Sequence, residues 1–406
     1  MRTVVFVAPF AFEITLRFAE AAAKHGGARM VLISQDAPAK FPDSLRRHLA
    51  AHIQVENALS AEGLIEAVTA VARRSGGVHR LLGTLEQLQV PLAEVREKLG
   101  IEGIGVEVAT NFRDKAQMKD VLQGAGLPCA RHRMIKAPED ATEFVEKVGF
   151  PIVVKPLAGA GAKGIYQVQD HDQLRDLLRQ NPPHPMRPLL AEEFMQGDEF
   201  SFDGVLVEGR QVWHSLTHYL PTPLNAVENP WIQWCVMLPR EIDHPHYDDI
   251  RASAAESVRA LGLRTGVFHM EWFRRPDGSI AISEVGARPG GAQISRLMSY
   301  AHEFSFYQAW AEVAIDGTFP NPQRRYAAGA AFLRGQGDGK VQTIRGLGQA
   351  QKEIGHLVVE TNLPKLGQPK SSSYEGEGFV VIRHPETAVV EKALNRLVSL
   401  IRVEMG

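Results

Sequence analysis

The run Val4-Val5-Phe6-Val7-Ala8 is apolar without alternation, and a strand of that kind has to be covered on both faces. That requirement calls for helices above and below a parallel sheet, and the pattern that follows can supply them. Helical periodicity over 14–24 stops at Gly26-Gly27, a second strand is predicted over 30–33, and helical periodicity returns over 61–73 and 89–99. The start of the chain therefore reads as a small parallel α/β unit. No G-x-G-x-x-G follows the first strand, so a dinucleotide site is not expected there. The apolar opening also resembles the core of a secretory leader, but Glu13, Arg17 and Glu20 follow at once and no small-residue cleavage site is evident. It reads as a buried strand, and the cytoplasm is the expected compartment.

A chain of 406 residues exceeds one ordinary core, so two or three packed units are expected. The character changes near residue 111, where a predicted helix carries Lys115 and Lys119 and stops at Gly124-Ala125-Gly126-Leu127-Pro128. Next come a strand ending in Lys155, a glycine-rich loop, a helix over 170–179, and strands over 189–194, 199–207 and 211–218. A helix over 247–261 precedes a hairpin over 267–285. From about 320, short strands and glycine turns lead to a last helix over 387–401. Composition excludes several functions. A net charge of −2 offers no field for nucleic acid or anionic lipid, and the short pairs Arg73-Arg74 and Arg324-Arg325 have no aromatics between them. Cys129 and Cys235 are the only cysteines, which fits a reducing compartment better than a disulfide or zinc scaffold. No membrane span is expected.

Glu271 and Glu284 are the most pointed local signal. They sit on two strand-like runs, 267–274 and 279–285, around the turn signal Pro276-Asp277-Gly278. A two-residue loop would set the carboxylates directly opposite, and a four-residue loop diagonally, on one face. A three-residue loop with a glycine bulge would put them on opposite faces, unless a second bulge restored the register. Two neighbouring carboxylates repel unless a cation joins them, and hard oxygen ligands suit Mg²⁺; the other reading is a pair of solvated hairpin glutamates. Lys155 leaves an apolar strand into Leu157-Ala158-Gly159-Ala160-Gly161-Ala162-Lys163-Gly164. Small residues let backbone N–H groups approach an anion, although a Walker ending is absent, so a phosphate loop and a plain turn both fit.

Other candidates follow the same logic. The strand over 189–194 turns acidic at Glu192, Glu193 and Phe194, with Gly197 and Glu199 beyond; its backbone could meet an adenine edge and its carboxylates ribose hydroxyls. Arg288, in Ala287-Arg288-Pro289-Gly290-Gly291, could grip a phosphate or carboxylate bidentately, or bridge to a surface acid. His269 precedes Glu271 by two residues on the same strand face, as a ligand contact or a satisfied core group. His214 and His218 share a strand face, and Trp231 and Trp234 could wall an acyl pocket; each has an ordinary structural reading beside it.

Taken in order, Lys115, Lys155 with its glycine loop, Glu192-Glu193-Phe194, Glu199, Glu271, Glu284 and Arg288 resemble the ATP-grasp succession. The resemblance is greatest to the branch holding biotin carboxylase, carbamoyl phosphate synthetase and the L-amino acid ligases that make dipeptides. It implies an α/β chain with an α+β ATP-grasp core. The parts would be an N-terminal Rossmann-like domain over 1–110, a two-lobed ATP-grasp domain over 111–318, and a small C-terminal α+β domain over 319–406. It implies ATP and Mg²⁺ (or Mn²⁺) as cofactors, small-molecule carboxylate and amine substrates, a homodimer, and no nucleic-acid or membrane partner. Lys115 and Lys155 would contact the phosphates, with Gly159, Gly161 and Gly164 in the loop that closes over them. Glu192 and the backbone of Glu193, Phe194 and Met195 would read adenine, Glu199 would bind ribose, and Glu271 and Glu284 would hold the metal. Arg288 would steady the transferring phosphoryl group or the substrate carboxylate. The implied reaction forms a carbon–nitrogen bond through an acyl phosphate, releasing ADP and phosphate. A carboxylase of the biotin carboxylase or purine-pathway type, and a nucleotide-binding module without turnover, are the alternatives. One position departs from the family pattern: Gly286 stands where Asn usually follows the second metal carboxylate, which removes a ligand for a second magnesium.

Overall fold

The computed structural model describes residues 1–156, 165–229 and 232–406. Four parallel strands open the chain: β1 (Arg2–Val7), β2 (Ala28–Ser34), β3 (Leu49–Gln54) and β4 (Arg80–Leu82), in the order β3-β2-β1-β4. β1 is central, and its residues divide between two cores. Val4 and Phe6 pack toward the helix Phe306–Asp316, with the Phe6 ring edge-on to Trp310, while Val5 and Val7 pack with Leu64 and Val68 of the helix Ala61–Ser75. Both faces are covered, as an unalternating strand requires.

A second, antiparallel sheet comprises β5 (His132–Ile135), β6 (Ile152–Pro156), β7 (Tyr166–Val168) and β8 (Leu189–Glu193), in the order β5-β8-β6-β7. The helices Pro138–Val148 and His171–Gln180 cover one face, burying Phe144, Leu174 and Leu177 against Ile152, Val154 and Ala191. That leaves Lys155 and Glu192 for other uses.

The remaining strands are β9 (Asp198–Val207), β10 (Arg210–Leu220), β11 (Trp234–Leu238), β12 (Gly266–Arg274), β13 (Ile280–Gly286), β14 (Ala327–Leu333), β15 (Gly335–Gln336), β16 (Val341–Arg345), β17 (Val358–Asn362), β18 (Gly378–His384) and β19 (Arg402–Met405). Eight of them form one antiparallel sheet, β13-β12-β9-β10-β11-β14-β18-β17. Strands from beyond residue 319 thus extend the sheet begun at 198, and β15, β19 and β16 make a small sheet beside it. On β9 and β12 the sequence alternates polar with large apolar residues. Phe200, Phe202, Met270 and Trp272 pack into the core beneath the helix Asp248–Ala260. Glu199, Ser201, Asp203 and His269 occupy the opposite face, and all four are buried. A buried polar row on a central sheet is costly unless something satisfies it. Among the described residues no helix is long and apolar enough to cross a membrane.

Candidate active site

A cavity of about 510 Å³ lies between the β5–β8 sheet and the polar face of the eight-stranded sheet. Lys115, Lys155, Glu192, Glu193, Phe194 and Glu199 line it, as do His269, Glu271, Glu284 and Arg288. Gly159, Gly161, Gly164 and Trp231 lie outside the described residues.

The register of the hairpin decides where Glu271 and Glu284 point. Its loop has three residues: Gly278 sits in the left-handed region (φ 84°), and the Arg275 N–H donates to the Ser279 carbonyl at 2.8 Å. By itself that loop pairs Trp272 with Ile282 and would oppose Glu271 to Ser283. A second bulge intervenes. Ser283 is the extra residue, so Glu271 stands directly opposite Glu284 on the cavity face. The bulged Ser283 carbonyl accepts a hydrogen bond from Lys119 Nζ at 2.7 Å. Lys119 is fully buried, one helical turn after Lys115.

The helix Lys115–Gly124 begins where it does because Asp114 caps it, accepting from the Ala116 and Gln117 N–H groups. That cap sets Lys115 at the cavity edge, with Nζ 2.6 Å from Glu284. Lys155 Nζ lies 2.6 Å from one Glu192 oxygen, and Lys119 Nζ 3.4 Å from the other. Burial would raise the Glu284 carboxyl, but Lys115 and Lys155 outweigh it and hold it down at about 2. Burial likewise opposes ionisation of Glu192, and Lys119 and Lys155 overcome it. The Glu192 carboxylate therefore faces the lysines, and its side chain is not free for a base. Glu193, the next residue, points away and pairs with Arg131 and Arg275 at 2.6 and 3.0 Å, so only its backbone is open to a ligand. Burial, then the charge of Glu271, pushes the Glu199 carboxyl well above the usual range.

His269 is held by a residue the sequence did not single out. Asp203, its cross-strand partner, accepts from Nδ1 at 2.9 Å, and Nε2 lies 3.9 Å from Glu271. Burial disfavours the imidazolium, yet the two carboxylates raise its pKa to about 9. Gly290 lies against this pair: a Cβ there would sit 2.8 Å from His269 and 3.0 Å from Asp203. Arg288 is gripped by Glu86, which comes from just after β4. His214 and His218 do not reach the cavity. They face the opposite core, His214 stacked on Phe202 and His218 hydrogen-bonded to the Tyr247 hydroxyl at 3.0 Å. Strand parity explains this, since Tyr219 on the same strand takes the cavity side. Trp234 does line the cavity, with Tyr219 and Tyr374. Lys119 was placed on the helix of Lys115 without a role, and Asp203, Glu86 and Tyr374 went unnoticed in the sequence. The i, i+4 spacing from Lys115 marks the first, and the polar alternation of β9 marks the second.

This chain resembles known proteins in sequence over part of its length and in fold over nearly all of it. Residues 120–292 match the family model described as ATP-grasp domain. The L-arginine-specific L-amino acid ligase of Bacillus subtilis is 24% identical over 280 residues, covering 67% of this chain and 66% of that protein, just under two thirds of its length. Among solved structures, the L-amino acid ligase from Bacillus licheniformis superposes with a TM-score of 0.79 at 18% identity, over 100% of this chain and 99% of that one. An ADP complex of purK, an N5-carboxyaminoimidazole ribonucleotide synthetase, superposes with a TM-score of 0.71 at 16% identity, over 98% and 96%. These superpositions concern the fold. The sequence match to an ATP-grasp domain covers residues 120–292, less than half of this chain.

Proposed function

We propose that the protein is an ATP-dependent carboxylate–amine ligase that works through an acyl phosphate and releases ADP and phosphate. One observation carries the reading: two lysines, two facing carboxylates, a histidine and an arginine meet in one cavity from the helix at Lys115, β6, β12, and β13 with the turn after it. Such a set suits a triphosphate and its metal. Lys115 and Lys155 would neutralise the phosphates, Glu192 ordering Lys155 from behind. The backbone after Glu192 would meet the adenine, with Glu199 on the ribose.

Glu271 and Glu284 fit a hard cation such as Mg²⁺ or Mn²⁺. Among the described residues no group of three or more His, Cys, Asp or Glu converges as a complete metal site, so phosphate oxygens would have to finish the coordination. Gly286 offers no ligand. A Cβ there would lie 3.5 Å from Arg288 and 3.6 Å from Glu86, ordinary contact distances, so the missing oxygen and not a lack of room favours one metal over two. When bound, the metal would screen the charge on the phosphates.

A carboxylate oxygen of the substrate attacks the γ-phosphorus, and the bond to the ADP oxygen breaks. Arg288 and the His269 imidazolium face the oxygens that carry the charge. His269, cationic below about pH 9, acts as a donor and not as a base. An amine then attacks the acyl carbon, phosphate leaves, and the amine proton passes to solvent.

The test is ADP release over pairs of amino acids, with bicarbonate tried separately. Turnover that needs an acid and an amine together supports the ligase. ADP release with bicarbonate alone would favour the carboxylase reading, and ATP binding without release in any combination would leave only a binding module. Glu284→Ala should lower turnover by about a hundredfold or more with an unchanged circular dichroism spectrum; wild-type turnover would refute the metal assignment.

A further inference from the structure

We infer that the enclosed end of the cavity takes the side chain of the acid substrate, that this side chain is apolar or aromatic, and that Tyr374 sets the preference. The inference rests on the ligase reading and concerns which acid is joined. Past His269 and Arg288 the cavity is walled by Tyr219, Leu224, Trp234, Ile294 and Tyr374. Trp234 stacks on Phe332 at 4.9 Å and on Tyr219 at 6.2 Å, and meets the Tyr374 ring edge-on at 5.4 Å. Its indole N–H is already spent on the Tyr374 carbonyl at 2.9 Å, so it offers the cavity no free polar group.

Tyr374 belongs to the segment between β17 and β18, which docks on the turn that follows Arg288. Its neighbour Glu375 accepts from Gln293 Nε2 at 2.6 Å, and a Cβ on Gly291 would come within 3.1 Å of the Tyr374 hydroxyl. The turn itself is unusual, with Ala292 and Gln293 both at positive φ (49° and 59°). Side chains seldom adopt that conformation, and it is kept where surrounding structure demands it. Tyr374 thus spans from the Trp234 wall to the turn beside the reacting groups, where the first atoms of an acid beyond its carboxylate must pass.

Charge completes the argument. Among the described residues at this end none is Asp, Glu, Lys or Arg; Thr222 and Asn225 are the polar ones. A charged side chain entering here would lose its hydration without a partner. An apolar one gains burial, and an aromatic one gains edge and stacking contacts with three fixed rings.

Isothermal titration of the full chain, with Mg²⁺ and a non-hydrolysable ATP analogue present, tests this with L-phenylalanine, 3-phenylpropionate, L-glutamate and L-lysine as probes. At least one of the first two should bind about tenfold or more tightly than either charged amino acid. Tyr374→Ala should weaken the better apolar acid about tenfold, Tyr374→Phe should bind it like wild type, and both variants should keep the analogue's affinity, which also reports their folding. Tighter binding of glutamate or lysine, equal binding of the apolar acid by wild type and Tyr374→Ala, or no binding by any probe would overturn the inference. ADP release separates it from the reading beneath it. Apolar acids that bind but never release ADP with any amine would sink the ligase and leave the pocket, whereas ADP release confined to charged acids would sink the pocket and leave the ligase.

Discussion

His269 shows how one buried pair ties stability to chemistry. Its folded pKa of about 9 exceeds the ordinary 6.5 because Asp203 and Glu271 outweigh burial. The stabilisation from protonating it is therefore complete below about 6.5 and fades as pH rises through about 9. If the imidazolium faces the phosphoryl oxygens, kcat should fall along the same alkaline limb. Asp203→Asn removes the larger of the two attractive charges, so the limb should move down by about one unit or more with little change in the acid limb. A limb that stays in place in that variant would separate His269 from the reaction. Of this site the sequence displayed His269, because it sits two residues from Glu271, but not Asp203. That residue lies 66 positions away in the chain, and cross-strand pairing alone brings the two together.

At the scale of elements, the hairpin carries the decisive geometry. Its turn, its two strands and its two glutamates were all legible, whereas the register was not. The Ser283 bulge depends on a tertiary contact with Lys119, from a helix far off in sequence, and no local propensity encodes it. Two outcomes follow. The double variant Glu271→Cys, Glu284→Cys should form a cross-strand disulfide on mild oxidation, because the positions face each other. Met270→Cys with Glu284→Cys should not, since Met270 points into the opposite core, and mass spectrometry distinguishes the two. Lys119→Met keeps the length of the side chain but releases the bulge carbonyl and leaves Glu192 with Lys155 alone. The concentration of Mg²⁺ giving half-maximal rate should rise about tenfold or more, by a larger factor than kcat falls. A variant that merely melts earlier, with its metal dependence intact, would show that Lys119 supports the fold and nothing further. The helices Ile294–His302 and Phe306–Asp316 were missed for a different reason. They are buried on most sides, and in the first of them the polar Ser295, Arg296 and His302 are buried with the apolar residues, so the pattern does not mark which face is covered.

Across the whole molecule, Arg296 pins the parts together. It is 2% exposed on the helix Ile294–His302, reaches Glu13 of the N-terminal unit at 2.8 Å, and pairs with Glu360 on β17. A buried guanidinium is tolerable only when its charge is answered on several sides, so this contact commits the N-terminal helix and the last strands to one arrangement around the cavity. Glu86 repeats the idea at the site itself by crossing from the N-terminal unit to Arg288. The changes of pattern near residues 111 and 320 were visible along the chain. That strands beyond residue 319 join the central sheet was not, because strand order is set by contacts between distant segments.

Lys115, Lys155, Glu271 and Glu284 are proposed to share one triphosphate and its metal. Titrating ATP into wild type and into Glu271→Gln, Glu284→Gln double variant, each with and without Mg²⁺, tests it most directly. Wild type should bind at least about tenfold more tightly with the metal than without it, and the double variant should bind equally in both, its lysines freed for the phosphates. A double variant that keeps the full metal enhancement, or a wild type that binds no ATP, would contradict the account.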